Sequence, residues 1–115
     1  MNYYYIYSMK ELTILVSEQT DPLSVTGTQA ILKVVNEFYE KENHTPFFNV
    51  RLVGLSKDIR FEGQSMQFRT DILLKHAERS DLIIIPALGR NIKEAIEAQM
   101  DFMPWISGRL RANSM

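Results

Sequence analysis

The sequence contains no cysteine among its 115 residues. A disulfide framework, a thiolate zinc site and a cysteine nucleophile within these residues are therefore all excluded. Long apolar runs are missing as well: the longest is about five residues, far short of the roughly 20 that cross a bilayer. The opening "MNYYYIYSMK" lacks the basic start and extended apolar core of a secretory leader, and a cytoplasmic address is the expectation. Neither charge sign dominates, with 13 Lys+Arg interleaved among 14 Asp+Glu, so no basic face for nucleic acid is foreseen.

Glycine-rich phosphate loops are absent too. A dinucleotide fold opens its first helix with G-x-G-x-x-G, whereas Gly27 stands alone after the first apolar run, and no G-x-x-x-x-G-K-[ST] occurs. His44 and His76 are isolated from each other and from any paired carboxylate at ligand spacing, so no metal and no cofactor is expected. Receiver-type phosphoacceptor chemistry needs an aspartate at the end of a middle strand, and "LVGLS" and "LIIIPA" provide none.

What is present fits one globular domain, with 45% hydrophobic and 23% charged residues. Two periodicities alternate along it. "ELTILVS" (11–17) is a β-branched apolar run that predicts a buried strand. After the loop "EQTDPLSVTG", in which Asp21-Pro22 gives a turn and a helix-start signal, Ile31, Val34, Val35 and Phe38 recur at helical spacing. "FFNVRLVGLS" (47–56) reads as a second buried strand. "KDIRFEGQSMQFRTD" alternates on either side of a turn and predicts an antiparallel hairpin, with one short helical turn over 75–79.

The stretch "DLIIIPALGRNIKEAIE" (81–97) then runs a nearly continuous apolar strand into a proline, a glycine and an amphipathic helix. Asn91 can cap that helix with Glu94 three residues on, and Pro104 suits the first turn of another helix carrying Trp105, Ile106 and Leu110. The expected fold is α/β: a three-layer sandwich around a mainly parallel, flavodoxin-like sheet, with strands over 13–16, 50–55 and 82–85. A strand followed by a helix ordinarily leads to another parallel strand. The chain is therefore expected to be the N-terminal portion of a longer domain.

The succession "LTILVSEQTDPLSVTGTQAI", "FNVRLVGLSKD", "FEGQSMQFRTD" and "RSDLIIIPALG" resembles the opening of the class I glutamine amidotransferase-like (PfpI-type) superfamily. More narrowly it resembles the branch fused to AraC-type DNA-binding domains in bacterial transcriptional regulators. The resemblance implies a pocket at the carboxyl ends of the strands, with Glu18, Thr26, Gly27, Ala87, Leu88 and Gly89 as candidate ligand-binding residues. It also implies a homodimer, an unidentified small-molecule effector, and DNA contact only through a domain beyond residue 115.

Two departures from the family pattern bear on chemistry. The acidic residue that regulators of this branch carry before the glycine turn is Ser24 here, leaving Glu18 as the nearest carboxylate. The family's "PGG", whose amides can serve an oxyanion hole, is replaced by Pro86, Ala87, Leu88 and Gly89. Both favour a non-catalytic effector-sensing and dimerisation domain, with no catalytic residue assigned. The alternative is the N-terminal part of a cysteine-dependent hydrolase, hydratase or amidase whose nucleophile lies outside these residues. A simpler role for Gly89, a tight strand-to-helix connection, stands beside the pocket reading.

Overall fold

The computed structural model of the protein describes residues 9–42, 44–61, 63, 65–89 and 92–113. The tyrosine run at Tyr3, Tyr4, Tyr5 and Tyr7 and the expected cap Asn91 lie outside them. The strands are β1 (Lys10–Leu15), β2 (Phe48–Gly54), β3 (Asp58–Arg60), β4 (Gln67–Arg69), β5 (Ile72–Leu73) and β6 (Leu82–Ile84); the helices are α1 (Pro22–Lys41), α2 (Ile92–Met100) and α3 (Met103–Asn113).

Four strands form one sheet in the order β5-β2-β1-β6, and every pairing in it is parallel. β3 and β4 make a separate antiparallel hairpin between β2 and β5. The α/β sandwich and the three anticipated parallel strands are thus observed. β5 was not anticipated, since two residues are too few to carry a periodic signal. The helical turn expected over 75–79 is instead a 3-10 turn at Leu74–His76, one residue earlier and shorter.

Period-two alternation along β1 sends Leu12, Ile14 and Val16 to one face of the sheet and Thr13 and Leu15 to the other. The first face is apolar from end to end: those residues pack with Leu52, with Val25 and Leu32 of α1, and with Ile59 and Phe61 of the hairpin segment. The Phe61 and Phe68 rings close it edge-to-face at 4.8 Å. The opposite face has a smaller core of Leu15, Val53, Ala77 and Phe102, backed by Trp105 and Ile106 of α3.

The remainder of that second face is polar. Arg51 Nε lies 3.5 Å from the Glu11 carboxylate, which also accepts from Asn49 Nδ2 at 2.9 Å. Thr13 Oγ1 donates to Ser80 Oγ at 2.8 Å, so the buried hydroxyls are paired.

Helix α1 starts at Pro22, at the Asp21-Pro22 helix-start signal and ahead of the residues whose periodicity announced the helix. Asp21 caps it, its carboxylate accepting the Leu23 N–H at 3.0 Å, and the fixed φ of Pro22 suits the first helical position. The expected loop therefore ends before Thr26 and Gly27, which sit inside the helix. At the other end, the Asn36 side-chain amide exchanges two 2.9 Å hydrogen bonds with the Phe48 backbone, standing in for a neighbouring strand at the open side of β2.

Asp71 and Asp81 play matching parts just before β5 and β6. Asp71 Oδ2 accepts the Leu52 N–H at 2.7 Å and Asp81 Oδ2 accepts the Glu11 N–H at 2.8 Å. In each case the Asp N–H returns a bond to the same residue's carbonyl. The repeated text "TDIL" and "SDLI" is thus a strand-start device used twice.

Candidate functional site

β1 lies where the strand order reverses, with β2 on one side and β6 on the other. In an open parallel sheet the connections leaving such a position diverge at the carboxyl ends and leave a crevice. A cleft of ≈ 450 Å³ occupies this end of the molecule. Val16, Ser17, Glu18 and Gln19 reach it from the end of β1, Leu55, Ser56 and Ile59 from beyond β2, and Glu94, Glu97, Ala98, Asp101 and Phe102 from α2 and its junction with α3.

The floor is apolar and the rim is acidic. Val16 and Phe102 are fully buried and Ile59 nearly so, while Glu18, Glu94, Glu97 and Asp101 are exposed. Gln19 Nε2 donates to Glu94 Oε2 at 3.4 Å across the mouth. Every ionisable side chain among the described lining residues is a carboxylate. Such a rim disfavours anions, and the floor accepts an apolar body. No group of three or more His, Cys, Asp or Glu placed to hold a metal occurs among the described residues.

The residues singled out by sequence do not all meet here. Glu18 lines the cleft. Thr26 is exposed on α1, its hydroxyl donating to the carbonyls of Pro22 and Leu23 at 3.2 Å. Gly27 is exposed on the same helix, and a Cβ built there meets nothing within 4 Å.

Ala87, Leu88 and Gly89 form the connection after β6 and pack against the connection after β1. The Ala87 N–H donates to Ser24 Oγ at 3.0 Å, and the Gly89 N–H to the Gln19 carbonyl at 2.6 Å. The Ala87 carbonyl in turn accepts the Asp21 N–H at 2.8 Å. A Cβ at Gly89 would stand 3.2 Å from the Gln19 carbonyl oxygen, so glycine permits this close approach of two backbones. Two amides that could have faced a substrate oxyanion are thereby engaged within the protein.

Sequence reasoning missed the α2 side of the cleft. The spacing of Glu94, Glu97 and Asp101 (i, i+3, i+7) was the available signal, since it places three acids on one helical face. Only Glu94 drew notice, as the partner of a helix cap, and the common direction of the three was not read.

Comparison with known proteins adds one structural likeness. No family model and no curated protein matches the sequence. A crystal structure described as that of a "putative transcriptional regulator protein" from Vibrio parahaemolyticus is similar, with a TM-score of 0.70 over 93% of this chain at 15% identity. The likeness is one of fold. The chain spans about half of that neighbour, 54% of its length.

Proposed function

We propose that this chain is the effector-sensing and dimerisation part of a bacterial transcriptional regulator, of the PfpI-type branch joined to AraC-type DNA-binding domains. In this reading the cleft takes up a small molecule without turning it over. The observation that carries the proposal is the cleft at the carboxyl ends of β1 and β2 beside a turn whose Ala87 and Gly89 amides are committed to Ser24 and Gln19. The site is shaped to hold a ligand, while its candidate oxyanion donors are spent on internal bonds. The fold-level likeness to a structure described as a regulator points the same way.

The acidic rim selects neutral or cationic effectors over anionic ones. In this reading DNA contact belongs to a separate domain, because the 13 Lys+Arg of this chain are interleaved along the sequence with 14 Asp+Glu, whereas binding needs several phosphate contacts from one face.

A second reading has one observation in its favour: Glu18 follows β1 directly and opens onto the cleft, where a carboxylate could orient a nucleophile supplied from outside these residues. Thermal unfolding in the presence of amines, neutral metabolites and carboxylic acids separates the two. The sensing reading expects a Tm rise of several degrees with an amine or neutral compound at saturation, abolished by Ala98→Trp, which fills the cleft. It also expects no hydrolysis of esters, amides or α-oxoaldehydes. Turnover lost on Glu18→Ala would support the enzyme reading, and the absence of any stabilising compound would refute the sensing one.

A further inference from the structure

Helix α1 is apolar on two sides. Its core side, around Val25 and Leu32, packs on the sheet. Its outer side carries Leu23, Gly27, Ala30, Ile31, Val34 and Phe38, all exposed, with Ile31, Val34 and Phe38 each more than 60% so. At 100° per residue these six positions fall within a stripe about 100° wide, as broad as the apolar face of an ordinary packed helix. Ile31, Val34 and Phe38 are among the residues whose spacing announced the helix, yet they lie away from this chain's own core.

Their order along the helix reads the same in both directions. The spacings from Leu23 to Phe38 are four, three, one, three and four residues. A surface that meets its own copy about a two-fold axis must satisfy this condition, because residue i then meets j while j meets i. We propose that α1 pairs antiparallel with α1 of a second copy of this chain, about an axis between Ala30 and Ile31. Leu23 then stands level with Phe38 of the partner subunit, Gly27 with Val34 of the partner subunit, and Ala30 with Ile31 of the partner subunit.

A small residue meets a large one where Gly27 comes level with Val34 of the partner subunit, and Ile31 lies beside Ile31 of the partner subunit. Gly27 supports this independently: glycine weakens a helix interior, and nothing within 4 Å of its missing Cβ gives it a reason within one chain. Close approach of a second helix supplies that reason, since interaxial distance is set by the side chains at the contact.

The charges do not set this register: Lys33, Glu37 and Glu40 lie together on one flank of the stripe, and a two-fold axis places them on the same side as their own counterparts at different heights. Antiparallel pairing opposes the two helix dipoles favourably. Another segment of a longer chain, or an unrelated protein, could cover an apolar stripe but would have no need of its symmetry.

One helix face falls at or below the roughly 800 Å² per partner of a standard interface, so association in the micromolar range is expected. The inference gives a surface to the dimerisation proposed above, and its test leaves the cleft reading untouched. Because the chain has no cysteine, single thiols report the register directly. Ile31→Cys lies within about 2 Å of its counterpart along the axis and should cross-link on mild oxidation. Phe38→Cys is about 22 Å from its counterpart, far outside disulfide reach, and should not.

Sedimentation of the unmodified protein should show a concentration-dependent dimer, lost in Ile31→Glu with Val34→Glu while circular dichroism keeps its helical signal. A monomer at several hundred micromolar, cross-linking through Cys at both positions alike, or a dimer that survives the double substitution would each overturn the proposal. The stripe would then belong to another occupant or to a parallel pairing.

Discussion

The two faces of the central sheet solve the same packing problem unequally. Under α1 and the hairpin, the face is closed by eight buried residues from four segments of chain. Under α3, four buried residues form a core over the carboxyl end alone, and the amino end carries the Glu11, Asn49, Arg51 and Thr13 network. A parallel sheet covered on both faces reads as continuous apolar runs. Here β1 and β2 read that way only toward their carboxyl ends, and the cleft opens where the better-packed half stops.

Neighbours on β1 provide the sharpest test of that inequality. Ile14 and Leu15 are both fully buried and point to opposite faces. Ile14→Ala should cost about 4 kcal/mol, toward the upper part of the range for such truncations, because the surrounding residues are fixed on all sides. Leu15→Ala should cost about 2–3 kcal/mol, because half-buried Ile72, Leu74 and Ile83 can move into the gap. Urea unfolding of the two variants decides it, and equal costs would mean that the second face is as rigid as the first.

Within the polar part of the second face, Arg51→Ala should destabilise by about 1–2 kcal/mol by leaving Glu11 with Asn49 alone. Arg51→Met should recover most of that loss, since a packed apolar side chain often replaces a partly buried ion pair without penalty. Two variants of equal stability would show that packing against the Arg51 stem contributes nothing.

At the margin of the first face, Asp21→Ala should cost about 1 kcal/mol by uncapping α1, and Asp21→Asn much less. The smallest effect is expected at Gly27. Gly27→Ala should raise monomer stability by about 0.5–1 kcal/mol, because a helical glycine with open space around it gains from a methyl group. The same change should weaken any dimer built on α1, so chemical denaturation and sedimentation should move in opposite directions.

Much of this was legible from local text. The three longer parallel strands, the hairpin and the second and third helices follow from period and punctuation, and Asp21-Pro22 marked the true start of α1. β5 was not legible by periodicity, although "TDIL" repeats the pattern of "SDLI" and could have pointed to it. Of the candidate pocket residues, Glu18 sits in the cleft lining and Gly89 in a tight backbone contact behind it, while Thr26 and Gly27 were carried onto the exposed side of α1 by a helix that began five residues before Gly27.

The sequence by itself determined which of the longer segments become strand or helix, because period, capping and turn chemistry act over a few residues. It also determined that no thiol chemistry occurs within these residues. Only the tertiary structure decided which side of α1 faces the sheet. Val25 and Leu32 on one side and Ile31, Val34 and Phe38 on the other are equally apolar text, and the choice between them depends on where β1, β2 and the hairpin place their own side chains. The cleft was likewise decided at long range, since Glu18, Ser56 and Glu97 are brought to one rim only when β1, β2 and β6 align their carboxyl ends.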